Sequence, residues 1–519
     1  MTATLSTLDP LDELADRLSP RLVRPVDALE VAATLESAGV TDRAAAVTYR
    51  QPDVFALGEE LLHRVRRRSG PPVPRATPAG GGRRALADLS HGGLYLVPLA
   101  LFPPLGELLR PWPVAVVIAT GALGWVWSGG AAWVAYQLLG RGSMDPAVRW
   151  LRRCLLAALP VAATLGALVG GLVGGLASSP AGLRAVGGAA LLAAGQISYQ
   201  MAMTLALFRH RERWLLLAMV PGVAASVGYL RYGVPGAPIA TAVVAASVTT
   251  GLLLVARCGR PDAGGVAGAG RAARPRWRAR RGGTAGAGGA ARARWGRRAG
   301  AVGAGRAARR RGGLPVAGLP RGQRRELPTV LLSTGLTAAV LIYAQSRYLT
   351  GDHQVLYAAI PLYAGMGVVE WRARRYTEGA RELLDRLTDP RRFARRAWTG
   401  LLGGLVLSMS ALAALAAPLL VALRGMGLLS PAAVTMAAAH VAFGGACFLA
   451  FILAGHARYG RLSCAFGAAF GAHAGPVAAV AGLRGPVPDT VVFLGSVVLL
   501  QALLLVCLAD LVGQAWRYR

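Results

Sequence analysis

Lysine and asparagine are both missing from the 519 residues, so all 57 cations are arginines. Without asparagine the chain has no N-x-Ser/Thr acceptor for glycosylation. Acids are scarce as well: 25 against 57 cations leaves a net charge of +32. The five cysteines, Cys154, Cys258, Cys447, Cys464 and Cys507, lie within or beside apolar runs and include no C-x-x-C pair. That spacing indicates neither a zinc site nor a disulfide framework, and small apolar fillers are the expected role. No G-x-x-x-x-G-K-[ST], no H-E-x-x-H and no G-x-S-x-G occurs, so the usual ATPase, zinc-protease and serine-hydrolase signatures are absent. No enzyme activity, cofactor or metal is expected from the residues. Residues 1–20 lack a basic start followed by an apolar core, so no cleavable signal peptide is expected.

What is present is apolar surface. Hydrophobic residues make up 54% of the chain and the mean hydropathy is +0.45, above the roughly 45–50% apolar usage of a soluble domain. From His91 onward they fall into runs of about 20 residues, long enough to cross a hydrocarbon core of ~30 Å. Ala, Gly, Arg and Pro have GC-rich codons while Lys and Asn have AT-rich ones, which points to a GC-rich bacterium such as an actinomycete.

The expected fold class is therefore an all-α polytopic membrane protein with about 12 spans in two six-helix bundles. The spans are expected at 92–109, 113–139, 154–177, 181–208, 214–230 and 236–256, then 328–349, 353–371, 398–423, 432–455, 459–482 and 488–513. Residues 1–90 form a cytoplasmic helical extension and linker, 91–257 the first bundle, 258–327 an arginine-rich linker and 328–519 the second bundle. The positive-inside rule supports the count. Arg141 to Arg153, Arg209 to Arg213, the 258–327 linker, Arg372 to Arg396, Arg458 with Arg461, and Arg517 with Arg519 all fall on one face. Both termini are then cytoplasmic, in a bacterial plasma membrane.

In the extension, Leu11, Leu14 and Leu18, then Ala28, Leu29, Val31 and Ala32, then Phe55, Leu57, Leu61 and Leu62 predict three short amphipathic helices. Ser37-Ala38-Gly39 reads as a helix stop. Up to His63 it carries eleven acids against five arginines, the wrong sign for nucleic acid, so no specific nucleic-acid partner is expected. Between Pro261 and Gly313 there are fourteen arginines and one acid, Asp262, in a background of Gly and Ala. That composition cannot build a core. It is a solvated charge tract or the out-of-frame reading of GC-rich DNA, and the second case leaves 12 or 14 spans open.

Polar groups at membrane depth are costly and are the default functional candidates. Gln196, Tyr199 and Gln200 share one face of the fourth span at i, i+3 and i+4. Tyr343, Gln345 and Arg347 end the seventh, His440 and His473 lie in the outer halves of the tenth and eleventh, and Gln501 is near the middle of the twelfth. Singly, each also fits an interhelical hydrogen bond; together they suggest a polar substrate path. Pro361 and Pro476 fall inside spans, where prolines break helices around cavities in many transporters. Glu370 closes the eighth span, and Arg372, Arg374 and Arg375 open an arginine-rich amphipathic helix suited to the inner-leaflet surface.

The 6+6 layout, the missing ATPase motif and the segment Tyr357-Ala-Ala-Ile-Pro361-Leu-Tyr363-Ala-Gly-Met366-Gly-Val-Val-Glu370-Trp371, followed by an Arg-rich helix, resemble actinobacterial polysaccharide-biosynthesis membrane proteins. Those are similar to the multidrug/oligosaccharidyl-lipid/polysaccharide exporter superfamily. The resemblance covers roughly 90–256 and 328–513 and implies a flippase-like transporter moving a lipid-linked or anionic glycan outward by alternating access. Its expected partners are membrane lipids, that glycan and envelope-biosynthesis proteins. A major facilitator has the same 6+6 layout, but its Gly-x-x-x-Asp-Arg-x-Gly-Arg loop is not matched by Gly140-Arg141-Gly142-Ser143-Met144-Asp145. A non-transporting scaffold of envelope assembly is the reading from another class.

Overall fold

The computed structural model describes residues 9–18, 28–68, 91–98, 100–101, 104, 113–140, 144–173, 180–232, 237–258, 319–348, 353–387 and 389–518. Regular structure among them is helical throughout. They fall into two compact units, one drawn from 1–85, 378–399 and 512–519, the other from 86–377 and 400–511. The arginine-rich tract between Pro261 and Gly313 lies outside the described residues.

In the first unit four helices, α1 (Pro10–Leu18), α2 (Ala28–Ser37), α3 (Asp42–Tyr49) and α4 (Val54–Arg68), close a small core of Leu14, Val31, Leu35, Leu57 and Leu61. Three helices were expected; α3 escapes the periodicity because its only buried residue is Ala45. Two of the expected core residues face outward instead, Leu29 at 64% and Phe55 at 53% exposure. The predicted stop holds: α2 ends at Ser37, Gly39 takes φ +84°, and the Val40 N–H donates to the Leu35 carbonyl at 2.9 Å. A left-handed residue just past a helix end is where glycine costs least. Thr41 then caps α3 by accepting from the Ala44 N–H at 3.3 Å. Arg64 of α4 reaches Asp9 at 2.6 Å, Glu60 at 2.9 Å and Asp12 at 3.2 Å, tying the start of α1 to α4.

The second unit carries the apolar helices. After a helical stretch over 91–98 come α5 (Pro113–Leu139), α6 (Met144–Val173), α7 (Pro180–Phe208), α8 (Glu212–Tyr232), α9 (Ala237–Cys258), α10 (Arg321–Ser346), α11 (His353–Tyr357), α12 (Ile360–Arg386), α13 (Pro390–Gly425), α14 (Pro431–Gly455), α15 (Tyr459–Ala479) and α16 (Pro486–Ala509). Eight described helices are long and apolar enough to cross a membrane. By that measure the chain is a multi-pass membrane protein. Helices α5, α8 and α12 occupy three further places where spans were expected.

Two features depart from the expected layout. The eighth span is not continuous, because α11 stops at Tyr357 and α12 begins at Ile360 with Pro361 in its first turn, where a missing N–H costs nothing. Nor is the arginine-rich helix separate: α12 runs unbroken to Arg386.

Lipid-facing and buried surfaces are equally apolar in these helices, so amphipathic contrast does not separate them. On α16, Phe493, Val497, Leu500, Leu504 and Leu508 are fully buried, while Val491, Val498 and Val506 on the opposite side are exposed. Helices meet where side chains are small. A Cβ on Gly129 or Gly130 of α5 would come within 2.7 Å of Thr334 or 2.6 Å of Leu331 on α10, too close for any side chain without a shift. Trp127 and Trp150 donate their indole N–H groups to the Cys154 and Ala131 carbonyls, locking α5 to α6.

Candidate functional site

The end of α10 carries Tyr343 and Arg347 four residues apart, so both project to one face, while Gln345 projects to another. Arg347 meets the start of α16. Its guanidinium donates to Asp489 Oδ1 at 3.3 Å and to the Arg484 carbonyl at 3.2 Å. Asp489 is 1% exposed and stands in the first turn of α16, where the helix dipole favours a carboxylate. It also accepts from the Tyr348 hydroxyl at 2.5 Å through Oδ2, and His473 Nε2 lies 3.2 Å from Oδ1. One buried carboxylate at the start of α16 thus gathers an arginine and a tyrosine from the end of α10 and a histidine from α15. Arg484 supports the arrangement by donating to the Ala478 and Val477 carbonyls, which the end of α15 leaves without helical partners after Pro476.

A second network adjoins it. Gln345 places Nε2 3.1 Å from His440 Nε2 and accepts from the Tyr363 hydroxyl at 3.0 Å. His440 Nδ1 lies 2.8 Å from the Met436 carbonyl, an acceptor, so Nδ1 carries the proton and Nε2 accepts from Gln345. The ring of Phe493 sits between the two histidines, with its centroid 5.9 Å from His440 and 5.1 Å from His473, and Tyr343 meets His473 edge-on at 5.2 Å. Tyr343, Gln345, Arg347, His440 and His473 are therefore brought together.

The other sequence candidates lie apart from this group. On α7, Gln196 accepts from the Thr120 hydroxyl at 2.7 Å, Tyr199 donates to the Leu94 carbonyl at 2.8 Å, and Gln200 is buried against Gly124. Gln196 and Tyr199, with Thr241 and Thr249, also line a cavity of about 300 Å³ whose wall is otherwise apolar, with Leu101, Leu159, Leu191 and Leu252 among it. Gln501 makes an interhelical bond, donating to the Ala442 carbonyl at 2.6 Å. On α12, the Glu370 carboxylate turns inward to His91 at 3.1 Å and Tyr95 at 2.6 Å, Arg374 lies 3.6 Å from it, and Arg372 stacks on Trp371 at 5.5 Å. Arg375 follows on the same helix.

Sequence reasoning missed Asp489 and Tyr348. The signal for Asp489 was an acid one residue inside an otherwise apolar run, between Pro488 and Thr490; Tyr348 passes for an interfacial aromatic. Among the described residues no group of three or more His, Cys, Asp or Glu is arranged to hold a metal ion.

No family model and no curated protein matches the sequence. Among solved structures, a MATE protein in complex with MaD3S is similar at 13% identity and a TM-score of 0.47, covering 82% of this chain and 96% of that one. A MOP superfamily transporter from Pyrococcus furiosus is similar at 15% identity and 0.41, covering 83% and 93%. A multidrug resistance MATE family transporter of the MOP superfamily, in an outward-facing conformation, gives 16% and 0.40 over 83% and 93%. At such identities and scores the functional reading is left to the residues themselves.

Proposed function

We propose that the chain is a flippase-like membrane transporter that exports a polysaccharide or lipid-linked glycan by alternating access. The observation that carries the reading is the Asp489 network. A carboxylate, a guanidinium and an imidazole meet on helices of membrane-spanning length, with the carboxylate and the imidazole fully buried. Ionisable groups in that setting mark pathways for charged cargo or coupling protons. The Arg347 guanidinium is a donor that an anionic glycan or a pyrophosphate would engage through charge-assisted hydrogen bonds.

The helix ends near Pro361 and Pro476 adjoin these residues, and irregular backbone there suits a protein-lined cavity rather than lipid. The choice of glycan rests on the resemblance carried by Tyr357 to Trp371. The test is a strain lacking the gene, assayed for lipid-linked glycan trapped on the cytoplasmic leaflet. Wild-type protein should clear it and Asp489→Asn should not, at equal abundance. Clearance by Asp489→Asn at the wild-type rate would remove the network from the mechanism, and no accumulation in the deletion strain would favour the scaffold reading.

A further inference from the structure

A separate buried cluster lies where the helical stretch 91–98 meets α8 and α12. His91 is 5% exposed, with Nδ1 3.1 Å from Glu370 Oε2 and Nε2 3.6 Å from Glu212 Oε1. A neutral imidazole has a single N–H and can serve one carboxylate; only the imidazolium presents a donor to both. Each carboxylate also has favourable surroundings apart from His91. Glu212 begins α8, where the helix dipole favours an anion, and Glu370 accepts from the Tyr95 hydroxyl at 2.6 Å and has Arg374 at 3.6 Å. With His91 charged, two cations and two anions cancel. Loss of its proton would leave one net negative charge on largely buried carboxylates, a costly state.

The remaining titratable groups near Glu370 are the phenols of Tyr95 and Tyr136 and the Cys447 thiol, neutral in ordinary conditions. Arg211 and Arg213 flank Glu212 in sequence. Next to His91, the Gly92 backbone touches the Ala364 carbonyl, so a side chain at 92 would collide with α12. The stretch and α12 are in contact at their backbones beside the cluster.

We propose that His91, between Glu212 and Glu370, is a proton-binding site whose charged form ties the 91–98 stretch to α8 and α12. The proton is bound more tightly in the tied arrangement than in one where the helices part. The tie is therefore present at low pH and lost as pH rises through the imidazole's titration. It stands apart from the transport reading, because the helices are tied whether or not cargo is carried.

Hydrogen exchange of the full-length protein in lipid nanodiscs, corrected for the intrinsic pH dependence of amide exchange, reads it directly. Amides of 91–98 should exchange at least about tenfold more slowly at pH 6 than at pH 9, the equivalent of one pK unit, while α14 shows no such difference. In His91→Gln the difference should vanish, and in Glu212→Gln, which keeps the Glu370 contact, it should shrink without vanishing. Equal protection at both pH values in the wild type, or an undiminished difference in either variant, would overturn the proposal.

Discussion

Asp489 is the residue on which the site depends, since it is the anion that Arg347 and Tyr348 at the end of α10 and His473 of α15 have in common. Removing one partner of a buried pair costs more than neutralising both, because the survivor keeps its charge without compensation. Arg347 is about a quarter exposed, so Arg347→Ala should cost about 3 kcal/mol or less. The double variant Arg347→Ala/Asp489→Asn should recover part of that loss in a thermal-unfolding cycle; strictly additive losses would show that the two do not interact. Arg64 in the N-terminal helices works by the same physics in water. Its hydrogen bond, with help from the Leu11 N–H, holds the Asp9 carboxyl below the ordinary 3.8 against a small opposing effect of burial. The contribution is then complete above that ordinary value and lost as pH falls through the lowered one. Exchange protection of α1 should fall in acid more steeply in wild type than in Asp9→Asn, and equal profiles would dismiss the contact. These residues were unevenly legible. Tyr343, Gln345, Arg347, His440 and His473 stand out as polar groups in apolar runs. Asp489 resembles a residue at a span boundary, and its role emerges only when α10, α15 and α16 are packed together.

At the scale of the helix, pattern reading succeeds where a polar face exists and fails where lipid replaces water. Helices α1, α2 and α4 were legible from leucine spacing, and the stop at Gly39 from its conformational preference. Helix α3 was not, because alanine buries too little surface to mark a face. Among the apolar helices, positions of spans were legible from length, but nothing in composition separates the buried Val497 from the lipid-facing Val498. Helix α4 tests the soluble logic: Leu57→Ala should cost about 2–5 kcal/mol of local stability, the price of a core cavity, whereas Phe55→Ala should be within about 0.5 kcal/mol of neutral. A similar destabilisation by both, measured by exchange protection of α4, would contradict the packing. Helices α5 and α10 test the close-approach logic. Gly130→Leu must displace Leu331 and should lower the folded yield after mild heating, whereas Gly171→Ala, with open space around it, should not. Equal tolerance would mean that α5 and α10 do not pack at Gly130.

On the scale of the whole molecule, the distribution of arginine sets the expected orientation. Arginines cluster on alternate connections, and the positive-inside rule predicts that those connections are cytoplasmic. In a variant without native cysteines, a cysteine at Arg375 should be shielded from an impermeant thiol reagent in intact cells, and one at Gly427 should label. Replacement of 262–313 by a Gly/Ser segment should leave membrane abundance nearly unchanged, since the tract has no apolar run to pack. The polytopic class and the helical content were legible because a bilayer imposes a length rule and internal backbone hydrogen bonding on any sequence. The convergence of Arg347 and His473 on Asp489 was not, since a contact between residues 142 apart has no local signature. The central claim is that the molecule moves a glycan carrier across the membrane through the Asp489 network. Purified protein in liposomes loaded with a labelled lipid-pyrophosphate-linked sugar tests it most directly, with the label's accessibility to an impermeant oxidant as the readout. Wild-type protein should expose the inner-leaflet label within minutes, and Asp489→Asn and Arg347→Ala should each slow this at least about tenfold, a difference of about 1.4 kcal/mol. Accessibility that stays at half the label with wild-type protein, as in protein-free liposomes, would contradict the account.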